Sequence, residues 1–596
     1  MNAVNFLNFS IINKIFSAFC DWVSEFFQNL HILSKTAIIS FLVIIFILPG
    51  FNSIPPLDRD EARFSQASKQ MLEDQNYIVI KFQEELRSKK PIGIYWLQMA
   101  SASIFGKDDI SSYRIPNIFA SIILILFFSI FVYRISFRYF DYTISSSVAF
   151  SFFSSLVLAT LLGFSIELKQ AKTDTVLLML CTIQQLIFWK IYNYGKENWN
   201  TFKHHDHIWL TRFFWLIMAL GILIKGPISP LLFSVTLISI CILDRFTQKE
   251  WNISWLNLLL WFQGLLIVMI ITIPWFYLAW SATDGSLILD AINEDFLKKV
   301  RSGQENHWGP FGSHFLLLLL TFWPMVLLLP YAGRALLDWK QNRFTRFLIS
   351  WIIPFWLILE LTPTKLPHYI LPVFPALILL ILIGISSPPT GNQILKRINK
   401  IFRIVVLIFT FLLALAFIYV SLNFSSNIMV FLISLFLAIM IFGSMVCGNI
   451  FYLNLNKYKL APLFGMVILA GISNIIIFSA IIPNLDKIHI TPKIAQYIHS
   501  LDFKPDTIVA TGYHEPSLVF SLGRDTLLLK PDETALVLIE GDNTLAIVED
   551  RKLNQIKKTL DKFDRKVESL ITIDGFNLAK GQKIKIHLLK PNQNKE

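Results

Sequence analysis

The chain has 596 residues, 54% hydrophobic and only 16% charged, with 53 Phe and a mean hydropathy of +0.56, which excludes an ordinary soluble domain and indicates a polytopic α-helical membrane protein. The net charge of +12 is distributed as a topology signal and calls for no nucleic-acid partner. Cys20, Cys181, Cys241 and Cys447 all fall outside the predicted external segments, so an external disulfide framework is excluded.

In chain order, residues 1–35 mix Phe6, Phe16, Trp22, Phe26 and Phe27 with Asn, Ser and Lys, without a small-residue cleavage site; this is the pattern of an interfacial segment. A transmembrane domain is predicted over 36–482. Apolar runs near the ~20 residues that cross ~30 Å of hydrocarbon lie at about 36–54, 116–134, 143–164, 172–193, 208–224, 228–244, 255–280, 313–333, 346–361, 369–387, 403–422, 427–450 and 459–482, about thirteen crossings. Alternate short loops hold the basic residues, among them Arg134 and Arg138, Arg245 and Lys249, Arg343 and Arg346, and Lys396 to Arg403. The positive-inside rule makes those loops cytoplasmic and puts the loops at 55–115, 281–312 and 362–368 on the external face with the tail at 483–596.

Within the loop at 55–115, Asp58 three residues ahead of Glu61, with Phe64, Ala67, Met71 and Leu72 on one face, predicts a capped amphipathic helix. Tyr77–Phe82 reads as an extended segment, and a second amphipathic helix opens at Pro91 and closes at Gly106. The tail predicts a small α/β domain, with strands at Asp506–Ala510, Thr534–Ile539 and Thr544–Val548, a helix at Leu553–Phe563, and an exposed turn at Gly512–Ser517.

Charge concentrated at external span ends carries the functional signal. Residues 58–64 hold Asp58, Asp60 and Glu61 beside Arg59 and Arg63, more than stability explains, since an exposed ion pair contributes about 0–1 kcal/mol. Capping accounts for Asp58 and Glu61, at about 1 kcal/mol, and leaves Asp60 and Arg63 over. Asp174 opens the fourth span behind Lys169 and Lys172, where it either complements the helix dipole or acts as a second functional carboxylate. Arg87, Lys89 and Lys90 precede Pro91 at a helix start, an arrangement suited to phosphate or to lipid head groups, with Tyr95 and Trp96 following. Lys225 and Lys365 break the positive-inside pattern and ask for an anionic partner. In the loop at 301–308, Glu305 and His307 do not have the spacing of a zinc site, and an ordinary solvated loop histidine is the competing reading.

Together Asp60-Glu61-x-Arg63-Phe64, Lys90-Pro91 with Tyr95-Trp96, Asp174, Lys225-Gly226-Pro227 and Lys365-Leu366-Pro367-x-Tyr369-Ile370-Leu371-Pro372 resemble the lipid-linked-sugar glycosyltransferases of GT-C fold, the bacterial aminoarabinose transferases and their protein O-mannosyltransferase relatives. The resemblance covers roughly residues 36–390. It implies transfer of a sugar from a polyprenyl phosphate to lipid A, another envelope glycan or protein, on the external face of the bacterial inner membrane. It implies Asp60, Glu61 and Asp174 as catalytic carboxylates, and Arg63, Lys89, Lys90, Tyr95, Lys225, Lys365 and Tyr369 as donor-phosphate and substrate residues. It also leaves a place for a divalent metal, with His307 as candidate ligand. One departure stands out: aminoarabinose transferases carry Glu ahead of the Lys-Pro, and this chain carries Lys89, which removes a metal ligand and loosens the acceptor assignment. No nucleotide-binding motif occurs. A transporter or flippase would instead carry ionisable residues in mid-span and internal repeats, and a non-catalytic assembly protein would leave the external charges without a role.

Overall fold

The computed structural model describes residues 32–138, 140, 142–197, 204–249, 251, 253–293, 308–387, 392–453, 461–578 and 580–592. The expected interfacial segment up to residue 31, Cys20 and His307 lie outside the described residues.

Among the described residues ten helices are long and apolar enough to cross a membrane, and up to twelve when two bent pairs are counted as spans. The first expected crossing is the helix Ile32–Ile47, with 16 described residues. Side chains such as Phe262, Ile270, Leu316 and Ile439 point outward from the bundle, where hydrocarbon rather than water is the solvent that suits them.

Two of the expected spans are broken. The third turns by 64° between Ser146–Thr160 and Leu162–Leu168. The peptide groups freed there are re-satisfied inside the protein: Leu162 N–H donates to the Trp323 carbonyl at 3.1 Å, and Asn474 Nδ2 donates to the Thr160 carbonyl and to Ser165 Oγ, both at 2.9 Å. The eighth turns by 119° between Ser313–Thr321 and Met325–Asp338. The two breaks face each other closely, since a Cβ on Gly163 would lie 2.8 Å from Thr321. The short helix Leu162–Leu168 carries Glu167 toward the start of the helix Asp174–Glu197.

In the long loop after the first span the helices are Asp60–Glu73 and Gly93–Phe105, the latter stopped by Gly106 at φ 106°, with a hairpin β1 (Lys81–Phe82) and β2 (Glu85–Leu86) between them. The next helix begins at Ile110 and runs through Pro116 to Arg138, so the loop closes earlier than hydropathy predicts. The expected cap is corrected. Arg59, at φ 68°, precedes the helix, and no side chain caps it; Asp58 faces the C-terminal domain instead.

That domain has a mixed sheet in the order β4 (Leu527–Leu528), β3 (Thr507–Thr511), β5 (Thr544–Glu549), β7 (Gln582–Pro591), β6 (Val567–Asn577). β3 pairs in parallel with β4 and β5, and β7 pairs antiparallel with β5 and β6. Helices Ile490–His499 and Asp550–Asp561 pack on opposite faces, over two separate apolar clusters. Thr534–Ile539, expected as a strand, lies in the helix Pro531–Glu540, which starts on a proline with the Glu533 carboxylate accepting from Lys530 N–H at 2.9 Å. The expected exposed turn is also corrected, since Tyr513, Glu515 and Ser517 are buried where the helix Pro516–Leu522 meets the helix Asp60–Glu73.

Candidate functional site

Glu61 fixes the frame. Its carboxylate receives both Nε and Nη2 of Arg114 at 2.8 Å, with both side chains buried. It also accepts Leu57 N–H at 3.0 Å and Ala171 N–H at 2.8 Å. Arg114 donates further to the carbonyls of Phe51, Ile54 and Pro55. This pair therefore ties the end of the first span to the segment 169–173, with Gln98 Nε2 adding a bond to the Ala171 carbonyl at 3.0 Å. Four donors are thus directed at the Glu61 carboxylate, which holds these segments together beside Asp60.

Asp60 sits one residue earlier, on a backbone held in the left-handed region at Arg59, and its side chain is open to solvent. Burial of the surroundings pushes its carboxyl up, but Lys172, Arg87, Lys90 and His368 together hold it below the usual carboxylate range. Arg87 is held in turn, with Nε donating to the Tyr95 hydroxyl at 3.1 Å and its guanidinium over the Phe64 ring at 4.8 Å. Tyr95 is fully buried and acts through Arg87. Lys90 Nζ donates to the Lys89 carbonyl at 2.8 Å, Lys89 itself is exposed, and Arg63 is half-buried on the first turn of its helix.

Behind Asp60 lies a buried charged cluster. Lys172 Nζ is 2.9 Å from Glu167 Oε2, and Lys225 Nζ is 2.5 Å from Asp174 Oδ1. His368 stands between the two carboxylates, Nδ1 at 3.7 Å from Glu167 and Nε2 at 3.8 Å from Asp174. Tyr369 packs edge-on against His368 and lies under the Lys225 ammonium, 5.3 Å from ring centroid to Nζ. Burial opposes the charged form of Lys172, but Glu167, Asp174 and Asp60 hold its pKa above the ordinary lysine value.

Of the residues singled out in the sequence, Asp60, Lys90, Asp174, Lys225 and Tyr369 converge here. Lys365 does not join them: its ammonium donates to the carbonyls of Leu359, Glu360 and Thr362 at 2.9, 2.6 and 2.7 Å, closing the C-terminal end of the helix Arg343–Leu361. Glu167, His368 and Arg114 were missed as site residues. Glu167 lies just past a predicted span, and only the break in that span brings it to Asp174; Arg114 has no flanking motif at all.

The fold that carries this site has solved counterparts. Over 93% of the chain the structure matches the crystal structure of ArnT from Cupriavidus metallidurans bound to undecaprenyl phosphate, covering 97% of that protein with a TM-score of 0.66 at 15% identity; the apo form matches with a TM-score of 0.67. The chain has the GT-C fold. By sequence it is 25% identical over 357 residues to the undecaprenyl phosphate-alpha-4-amino-4-deoxy-L-arabinose arabinosyl transferase of Erwinia tasmaniensis, an alignment that spans 58% of this chain and 59% of that relative. It is 22% identical over 471 residues to an uncharacterized protein of Aquifex aeolicus, spanning 78% of this chain and 82% of the relative. No protein-family model matches. In this GT-C chain the helices of the loop after the first span and the broken third span position Asp60, Glu167 and Asp174, while Arg87, Lys90, Lys172 and Lys225 supply the positive charge.

Proposed function

We propose that this membrane protein is a glycosyltransferase that moves a sugar from a polyprenyl-phosphate donor to an envelope acceptor, a glycolipid, glycan or protein, on the external face of the bacterial inner membrane. The observation that carries the reading is one accessible carboxylate, Asp60, beside a bank of fixed cations contributed by separate elements. In the step, the acceptor oxygen bonds to the sugar's anomeric carbon, the bond from that carbon to the phosphate oxygen breaks, and polyprenyl phosphate departs with the electron pair. Lys90 and Arg87 meet the growing phosphate charge, the kind of preorganised term expected to dominate in a site that excludes water. Asp60 orients the acceptor hydroxyl and takes its proton; an acceptor that is already a phosphate needs no such base.

The same reading places the C-terminal domain on the external face, packed on the catalytic loop through Gln83 Nε2 to the Arg524 and Thr526 carbonyls at 2.9 and 2.8 Å. The test is comparative mass spectrometry of envelope lipids and glycans from cells with and without the protein. One species lacking a sugar in the deletion identifies donor and acceptor together; identical profiles under conditions where the protein is made would refute the reading.

A further inference from the structure

Glu167, Asp174 and His368 each offer one ligand atom, and the three atoms lie within 4.8 Å of one another. By donor type, one imidazole and two carboxylates make a set that a divalent ion such as Zn²⁺ accepts, and the resemblance to GT-C transferases raises the question of a metal. The remaining occupants of the cluster argue against one. The Lys172 ammonium lies 2.9 Å from Glu167, and the Lys225 ammonium lies 2.5 Å from Asp174, so each carboxylate already holds a cation at contact distance. All four side chains are close to fully buried, with relative exposures of 11% and 8% in the first pair and 11% and 7% in the second. A divalent ion bound by these carboxylates would face two ammonium groups inside a desolvated space, where like charges repel far more strongly than in water. The lysines are also anchored from outside the cluster. Lys225 ends the helix His204–Lys225 and packs over Tyr369; Lys172 lies in the segment held by Glu61 and Gln98 through Ala171.

We propose that Lys172 and Lys225 are the resident cations of this centre, that they fill the electrostatic places a divalent ion would take between Glu167, Asp174 and His368, and that the cluster binds no divalent metal while they are present. The two lysines then act as positioning residues, fixing Asp174 and Glu167 behind Asp60. The catalytic part of this statement rests on the proposed glycosyltransferase reading, whereas the metal part does not.

Two measurements on the full-length purified protein test it. Titration of wild type with Mn²⁺ and with Zn²⁺, followed calorimetrically and by metal content after gel filtration, is expected to give no 1:1 binding that depends on His368. The Lys172→Met, Lys225→Met double variant, which keeps side-chain bulk and releases both carboxylates, is expected to gain a 1:1 site at least ~100-fold tighter, lost again when His368→Ala is added. Wild-type 1:1 binding abolished by His368→Ala or Glu167→Gln would overturn the proposal. So would a folded double variant that binds metal no better than wild type. The wild-type arm needs no lysine variant and stays decisive if the double variant does not fold. Binding of undecaprenyl phosphate, measured in parallel with and without chelator, separates the two readings: a protein that binds no lipid phosphate fails the glycosyltransferase reading, while its metal titration still decides the role of the lysines.

Discussion

Desolvation by the surroundings acts to raise the Asp60 carboxyl, and Lys172, Arg87, Lys90 and His368 outweigh it and hold the group below the usual carboxylate range. A carboxylate held below the ordinary range remains charged as pH falls through that range. Transfer should therefore not fall between pH 7 and 5 on account of Asp60, and a pH–rate profile checks this. Asp60→Asn removes the accessible carboxylate beside these cations and should cut the transfer rate by ~10²–10⁴-fold, the usual worth of a positioned general base, while expression and thermal unfolding stay near wild type. Glu61 belongs to a different class of effect. Arg114→Met leaves its carboxylate buried without a cation, so a destabilisation of about 3–5 kcal/mol is expected, as for other broken buried pairs; a thermal midpoint equal to wild type would contradict that. Residue identity made Asp60 and Asp174 legible in the sequence because charge at a span end is conspicuous. That Glu61 is buried against a cation while Asp60 stays open was not legible, since it depends on Arg114, 53 positions away in the chain.

Among the elements, the junction between the helix Asp60–Glu73 and the C-terminal domain has its own titration. Burial, reinforced by the nearby Glu515 carboxylate and only partly offset by hydrogen bonds with Ser517, raises Asp58 to about 7. A carboxyl whose folded pKa is raised contributes stability at low pH, and that contribution is lost as pH rises from about 4 through about 7. Thermal unfolding of the detergent-solubilised protein should accordingly show a higher midpoint at pH 6 than at pH 8, and Asp58→Asn should shrink the difference; an equal difference in variant and wild type would count against the Asp58–Glu515 contact. Hydropathy located the spans yet could not locate their bends, because the bend at Leu161 is stabilised by Asn474 and Trp323 from distant segments. In the tail, Thr534–Ile539 is a short apolar run that fits either a strand or a buried helix face. Pro531 and Glu533 decide it for helix. The long hairpin of β6 and β7 escaped notice because its exposed face interleaves Lys and Glu with the apolar positions.

For the molecule as a whole, charges meet at two opposite ends of the bundle. At one end are Asp60, Asp174 and Lys225; at the other, Lys196 at 3.0 Å and Arg346 at 3.2 Å both pair with Asp244. The helix Asp174–Glu197 joins the two ends. The positive-inside rule predicts that the second end faces the cytoplasm, and that expectation says where an impermeant thiol reagent should reach. In intact spheroplasts, Ser53→Cys and Ser500→Cys, both at exposed positions, should label, and Lys249→Cys should label only after the membrane is opened. Labelling in the reverse order would invert the topology and move the proposed site to the wrong face. The central claim, transfer from a polyprenyl-phosphate donor at Asp60, is tested most directly by incubating the purified protein with undecaprenyl phosphate carrying a radiolabelled sugar and an extract of envelope lipids and glycans, then following the label. The account predicts that label passes to an acceptor with wild type and does not with Asp60→Asn of equal stability. Transfer by the Asp60→Asn protein at the wild-type rate would contradict it.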